Sequence, residues 1–209
     1  SILILTKNKN FISSKSLTKK IKDPLIVSPI SLSNKKAIMI EDEEYLPFQE
    51  NSFDLILSDL MLHASNNLKS SLEKIHALLK PDGLMLCSMF GSETLRELRS
   101  CLLAAEEQFK EKVYPRIHPF TDIRTAGDIL QSSGFNLCVA DDTTIKVLTK
   151  DVYQLVKLIR SMGENNYLNI GKPNISRNIW NKTSELMKDV TPTEDGVMST
   201  FQILNLTGW

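Results

Sequence analysis

Ser52-Phe53-Asp54-Leu55-Ile56-Leu57-Ser58 and, about twenty residues later, Leu78-Leu79-Lys80-Pro81-Asp82-Gly83 running into Leu84-Met85-Leu86-Cys87-Ser88-Met89-Phe90 decide the fold of this chain. The first run predicts a strand over 53–57. Between the two, Leu68, Leu72, Ile75, Leu78 and Leu79 recur at helical spacing, and Asn66 or Asn67 stands where a helix cap is needed. Lys80-Pro81-Asp82-Gly83 reads as a turn, and 84–90 is apolar enough to be a central strand. Strand, helix, strand is one βαβ unit with parallel strands.

The same alternation extends both ways. Toward the N-terminus the pattern predicts strands at 2–5, 25–27 and 37–40, the second ended by Pro29. A helix over 11–21 carries Phe11, Ile12, Leu17 and Ile21 on one face. Toward the C-terminus it predicts helices over 93–109, 122–132, 151–162 and 176–187. Gly134 closes the second of these and Gly163 the third. Strands are expected at 137–140, 144–148 and 200–206. An α/β, Rossmann-like fold follows, as a single domain over 1–209 with a helical insertion over about 149–199.

Bulk composition excludes several classes of function. Lys+Arg and Asp+Glu both count 25 and the sequence pI is about 6.8, so no global positive field collects nucleic acid. The four lysines within 15–22 read as a solvated helix face. No apolar run approaches the roughly 20 residues of a membrane span, and no signal peptide is visible. Cys87, Cys101 and Cys138 lack CxxC spacing and read as buried thiols in a reducing cytoplasm. The chain opens on an apolar strand without methionine, which leads to the expectation of an absent upstream segment carrying substrate-binding groups.

Three pieces in fixed order carry a resemblance: Asp42-Glu43-Glu44-Tyr45-Leu46-Pro47-Phe48, then 52–58 with Leu62-His63, then 78–83. Together they resemble the class I S-adenosylmethionine-dependent methyltransferases with an LPF…SFD signature. Met89-Phe90-Gly91-Ser92-Glu93-Thr94-Leu95-Arg96-Glu97-Leu98-Arg99, Arg116 to Thr121, Met162 to Asn166 and Thr200 to Trp209 resemble the group of mitochondrial complex I assembly factors that are protein arginine hydroxylases. The malonyl-carrier-protein O-methyltransferases of biotin synthesis are similar too. The resemblance covers nearly the whole chain and makes a bacterial relative of the assembly factors the nearest description. It implies a mostly parallel sheet with an antiparallel C-terminal strand, and S-adenosylmethionine as cofactor.

In such folds the ligand lies across the carboxyl ends of the strands. The resemblance assigns cofactor binding to Leu5, Thr6, Lys7, Ser28, Asp42, Glu43 and Ser58, with Asp42 matching the acid that pairs with the adenine amino group. A solvated acidic turn is the other reading of Asp42. Asp59 and His63 are the candidate catalytic residues. Asp59 serves equally as a cap of the following turn, and His63 equally as a packed core histidine.

Two family features are missing. All eight glycines lie at or beyond Gly83, so the turn after the first strand reads Thr6-Lys7-Asn8-Lys9-Asn10 where glycines are expected. Each non-glycine residue held at positive φ costs on the order of 1 kcal/mol, and its Cβ occupies ligand space. Asn8 or Asn10, which tolerate left-handed backbone, offer a partial substitute. The acid expected at the end of the second strand is replaced by Val27-Ser28-Pro29. Both losses fall on one ligand and predict weak or absent cofactor binding. Lys7 and Lys9 read as solvated loop lysines or as an anion site.

No metal motif is present, and the three histidines, His63, His76 and His118, lack ligand spacing. The functional expectations are therefore a methyltransferase-family protein acting on a protein or carrier-protein substrate, a non-catalytic scaffold or assembly factor of the same fold, or a protein arginine hydroxylase. Arg96, Arg99 and Arg116 are candidates for the substrate side or ordinary salt-bridge residues. The oligomeric state is not readable at this level.

Overall fold

In a computed structural model of the chain, residues 1–8, 21, 23–29, 37–39, 46–109, 112–164 and 174–209 are described. Of the expected helix over 11–21 all but residue 21, the acidic stretch with Asp42 and Glu43, and Lys9, Asn10, Asn165 and Asn166 lie outside them.

Seven strands form one sheet: β1 Ile2–Thr6, β2 Leu25–Ser28, β3 Ala37–Met39, β4 Phe53–Asp59, β5 Leu79–Phe90, β6 Cys138–Thr149 and β7 Val197–Gly208. Their order is β3-β2-β1-β4-β5-β7-β6. β1 pairs in parallel with β2 and β4, β2 with β3, and β4 with β5, while β7 runs antiparallel to β5. Five helices accompany the strands among the described residues: α1 Leu68–Leu78, α2 Arg96–Gln108, α3 Ile123–Ser132, α4 Val152–Ser161 and α5 Arg177–Val190. The expected α/β sheet with an antiparallel C-terminal strand is the fold observed. α4 and α5 stand between β6 and β7 in chain order.

The described chain divides into two compact units. The first comprises Ser1–Gly91, Thr121–Thr143 and Ile203–Trp209. Its core is built from Leu3 and Leu5 of β1, Ile56 of β4, Leu72, Ile75 and Leu78 of α1, Met85 and Met89 of β5, and Leu130 of α3, all fully or almost fully buried. Both faces of β1 are covered, which is why it reads as a continuous apolar run. Asn67 caps α1 by accepting the Ser70 N–H, and Asp122 caps α3 by accepting the Thr125 N–H. Gly134, at φ +101°, ends α3 in the left-handed conformation, with the His76 ring 3.1 Å from where a Cβ would stand.

The second unit comprises Ser92–Phe120 and Thr144–Gln202. Here Thr94 Oγ1 donates to the Gln202 carbonyl (3.0 Å) and accepts the Gln202 N–H (3.1 Å), and Gln202 Oε1 accepts the Glu93 N–H. The Glu97 carboxylate accepts both the N–H and the hydroxyl of Thr200. Arg99 donates to the carbonyls of Ser92 and Thr94. These bonds tie 93–99 to 200–202 and hold Leu95 at φ 56°, so α2 starts at Arg96 rather than at 93.

Two further boundaries differ from expectation. Lys80-Pro81-Asp82-Gly83 lies inside β5, where the pairing with β4 jumps from Phe53↔Leu79 to Leu55↔Leu84. A bulge that accommodates extra residues uses the same turn chemistry as a hairpin, and Asp82 takes φ 62° there. The two strands expected at 137–140 and 144–148 are one strand, because charged residues such as Asp141 and Asp142 are tolerated on an exposed edge.

Candidate functional site

β1, β2 and β3 leave the centre of the sheet in one direction, and β4, β5 and β7 in the other. The reversal falls between β1 and β4, and their carboxyl ends are therefore where a cleft opens in a doubly wound sheet. The register places Leu5 beside Ser58 and Thr6 beside Asp59, and Asp59 in turn beside Ser88 of β5. Five residues named from sequence, Leu5, Thr6, Lys7, Ser58 and Asp59, thus come together at one sheet end. Ser28 ends β2 and is fully buried.

Thr6 is fully buried, and its Oγ1 donates to Asp59 Oδ2 at 2.9 Å while accepting the Asn8 N–H at 3.0 Å. None of Thr6, Lys7 and Asn8 takes positive φ, so Asn8 does not substitute for a glycine. The Thr6 hydroxyl instead reaches across to β4. The reading of Lys7 as solvated is corrected: it is only 8% exposed, and its charge acts on Asp59. A lysine stem lies along apolar surface at modest cost when its charge faces a carboxylate.

Burial raises the Asp59 carboxyl above the ordinary carboxylate range, opposed in part by the Thr6 hydroxyl and the Lys7 charge. A carboxyl with that environment is a group of the kind found in sites that hold or move protons. Leu60, immediately after it, sits at φ 48°, and its N–H donates to the Ser88 carbonyl at 2.9 Å. A leucine in the left-handed region stores on the order of 1 kcal/mol of strain. Sequence reasoning missed Leu60, because nothing in its type signals such a backbone.

A short 3₁₀ turn over Leu62–Ala64 follows and carries His63, 5% exposed, with its ring centroid 4.8 Å from that of Phe90. His63 thus lies buried against the Phe90 ring. Cys87 on β5 is buried beside Ser58, and burial pushes its thiol up to about 12. It is no nucleophile at neutral pH. Among the described residues no cluster of His, Cys, Asp and Glu is arranged to hold a metal ion, and no helix is long and apolar enough to cross a membrane.

The arginines named from sequence are engaged within the second unit. Arg96 pairs with Glu93 and Glu97, Arg99 holds backbone carbonyls, and Arg116 Nε donates to Glu106 Oε1 at 2.6 Å with both side chains buried. Glu106 also accepts the Tyr114 N–H, and the Arg116 guanidinium lies over the Tyr114 ring. Arg96 and Arg116 thus stand in ion pairs, while the printed bonds of Arg99 go to main-chain carbonyls.

Residues 22–87 match the family model described as a methyltransferase domain. The chain is 39% identical over 172 residues to the mouse protein named arginine-hydroxylase NDUFAF5, mitochondrial, an alignment covering 82% of this chain and 50% of that one. It is 34% identical over 129 residues to malonyl-[acyl-carrier protein] O-methyltransferase 1 of Coxiella burnetii, covering 62% and 43%. The chain spans about half the length of the curated relatives it matches. Among solved structures, a SAM-dependent methyltransferase from Archaeoglobus fulgidus superimposes with a TM-score of 0.52 at 12% identity, covering all of this chain and 85% of the other, a likeness of fold alone.

Proposed function

Given that this chain belongs to the S-adenosylmethionine methyltransferase-fold family, we propose that it acts on a protein substrate, with the family's cofactor grip weakened or lost at the end of β1. The observation that carries this reading is the Thr6–Asp59 bond with Lys7 buried beside it. In the family fold that position calls for bare main chain against the cofactor. Here Thr6 is fully buried and its hydroxyl is bonded to the neighbouring strand. On this reading these residues suit the nucleoside ligand poorly. Ser28, in place of an acid, offers the ribose at most one weaker contact. A loss of about 4 kcal/mol turns a micromolar grip into a millimolar one.

The reaction class is drawn from the relatives. The longer and closer alignment is to proteins named arginine hydroxylases, which supports an arginine side chain of a protein as the group acted on. A carrier-protein substrate is the second reading, favoured by the Coxiella alignment. On this reading Asp59 is the proton-handling candidate at the sheet end, held by the Thr6 hydroxyl, and His63 is a packing residue.

Thermal unfolding with added S-adenosylmethionine tests the cofactor half. A ligand at its dissociation constant stabilises by only about 0.4 kcal/mol, so a millimolar addition is expected to move the midpoint barely. A shift of several degrees would refute the reading. Mass spectrometry of an arginine-bearing protein substrate tests the other half: gain of one oxygen supports the hydroxylase reading, and methylation of an acyl-carrier protein would overturn it.

A further inference from the structure

Residues 152–184 hold five Lys or Arg and a single acid, Glu164, in a chain whose Lys+Arg and Asp+Glu counts are equal. Glu164 is buried. One sign of charge gathered in a balanced chain makes a local field rather than a bulk property. α4 and α5 carry four of the five cations, and both helices lie within the second unit.

Each helix sorts its residues by face. On α4, Val152 and Leu155 are fully buried, while Tyr153, Lys157 and Arg160 recur at i, i+4 and i+7 and are exposed. On α5, Ile179, Thr183 and Met187 are buried, while Arg177 and Asn181, one turn apart, are exposed. The two exposed faces meet at Tyr153. Its ring centroid lies 6.0 Å from that of half-buried Trp180, and its Oη lies 3.5 Å from Asn181 Oδ1.

Stability of the fold does not explain these cations. Lys157, Arg160 and Arg177 make no ion pair among the described residues, whereas Lys182 is bonded to Glu185 at 3.1 Å. Arg177 stands in the first turn of α5, where a positive charge opposes the helix dipole. Arginine, tyrosine and tryptophan are the residue types that dominate the energy of protein–protein interfaces. The chain's balanced charge gives no long-range field to gather a nucleic acid. α4 keeps its apolar face buried and so has none to insert into a bilayer. Lys157 and Arg160 are neighbours on the helix surface, so carboxylates one helical turn apart match them.

We propose that the face formed by Tyr153, Lys157, Arg160, Arg177 and Trp180 docks an acidic protein surface, one that presents carboxylates at helical spacing, with the Tyr153–Trp180 pair as its apolar contact. The proposal rests on the protein-substrate reading and adds the chemistry by which that protein is recognised.

Fluorescence anisotropy with a labelled helical peptide bearing glutamate at i, i+3, i+4 and i+7 tests this. The unaltered chain is expected to bind it saturably, and more weakly as salt rises. Lys157→Glu combined with Arg160→Glu is expected to weaken binding at least about tenfold. Arg177→Glu and Tyr153→Ala are each expected to weaken it as well. Lys146→Glu, the same charge change on exposed β6, is expected to leave it unchanged. Circular dichroism identical to the parent's shows that each variant is folded. No saturable binding, binding indifferent to the double charge reversal, or tighter capture of single-stranded RNA or phosphatidylserine vesicles through the same residues would each overturn the proposal. Binding is read without turnover, so a chain that binds the peptide and modifies no protein supports the docking surface and sinks the substrate reading alone.

Discussion

Replacing Thr6 by valine keeps the shape and β-branching of the last residue of β1 but deletes the hydroxyl that closes the sheet end. That hydroxyl makes two bonds, donating to Asp59 Oδ2 at 2.9 Å and accepting the Asn8 N–H at 3.0 Å. Thr6 is fully buried, so water does not replace either. A hydrogen bond to an ionised group contributes about 1.5–3 kcal/mol and a neutral one about 1, which sets the expected loss at about 2.5–4 kcal/mol. Urea unfolding at neutral pH should show a lower midpoint at unchanged slope. A cycle of Thr6→Val, Asp59→Ala and the double variant isolates the pair, and a coupling above about 1 kcal/mol is expected for groups in direct contact. Deleting the Thr6 donor also raises the Asp59 carboxyl further, readable by carbon-detected NMR titration. Additive single effects, within about 0.5 kcal/mol, would refute the view that Thr6 and Asp59 form a closed unit.

Three other outcomes are expected. Burial raises the folded-state carboxyl of Asp59 above its unfolded value near 3.9, so between those two values the native state holds the extra proton and stability falls as pH rises. Asp59→Asn should therefore unfold at higher temperature than the parent at neutral pH, with the advantage vanishing at pH below the unfolded value; equal melting at all pH contradicts this. Arg116→Met leaves the Glu106 carboxylate buried without its charge partner and should cost about 3–5 kcal/mol in chemical unfolding, more than the Arg116→Met, Glu106→Met double variant; the reverse order would count against it. Gly196→Ala, at φ +150° with its Cβ 2.1 Å from the Thr149 carbonyl oxygen, should lower the melting temperature by several degrees, and no change in the melt would contradict that crowding.

Much of the sheet was legible because its signals are local. Leu68, Leu72, Ile75 and Leu78 mark the buried face of α1, and Asn67 and Asp122 cap the helices they precede. The boundaries that failed depend on distant partners. α2 starts late because Thr94 and Glu97 bond residues about a hundred positions away. Pro81, Asp82 and Gly83 suit a bulge and a hairpin turn alike. At the candidate site, the missing glycines were visible, but the consequence was not. Lys7 is buried because Asp59, 52 positions along the chain, is brought beside β1 by strand register. Leu60 at positive φ follows from the same junction and leaves no trace in residue type.

The central claim is that the sheet end beside β1 holds its own side chains where the family fold holds a cofactor. Isothermal titration of the folded chain with S-adenosylmethionine tests it most directly. The expected result is no saturable heat below about 1 mM. A one-to-one isotherm with a micromolar dissociation constant would contradict it.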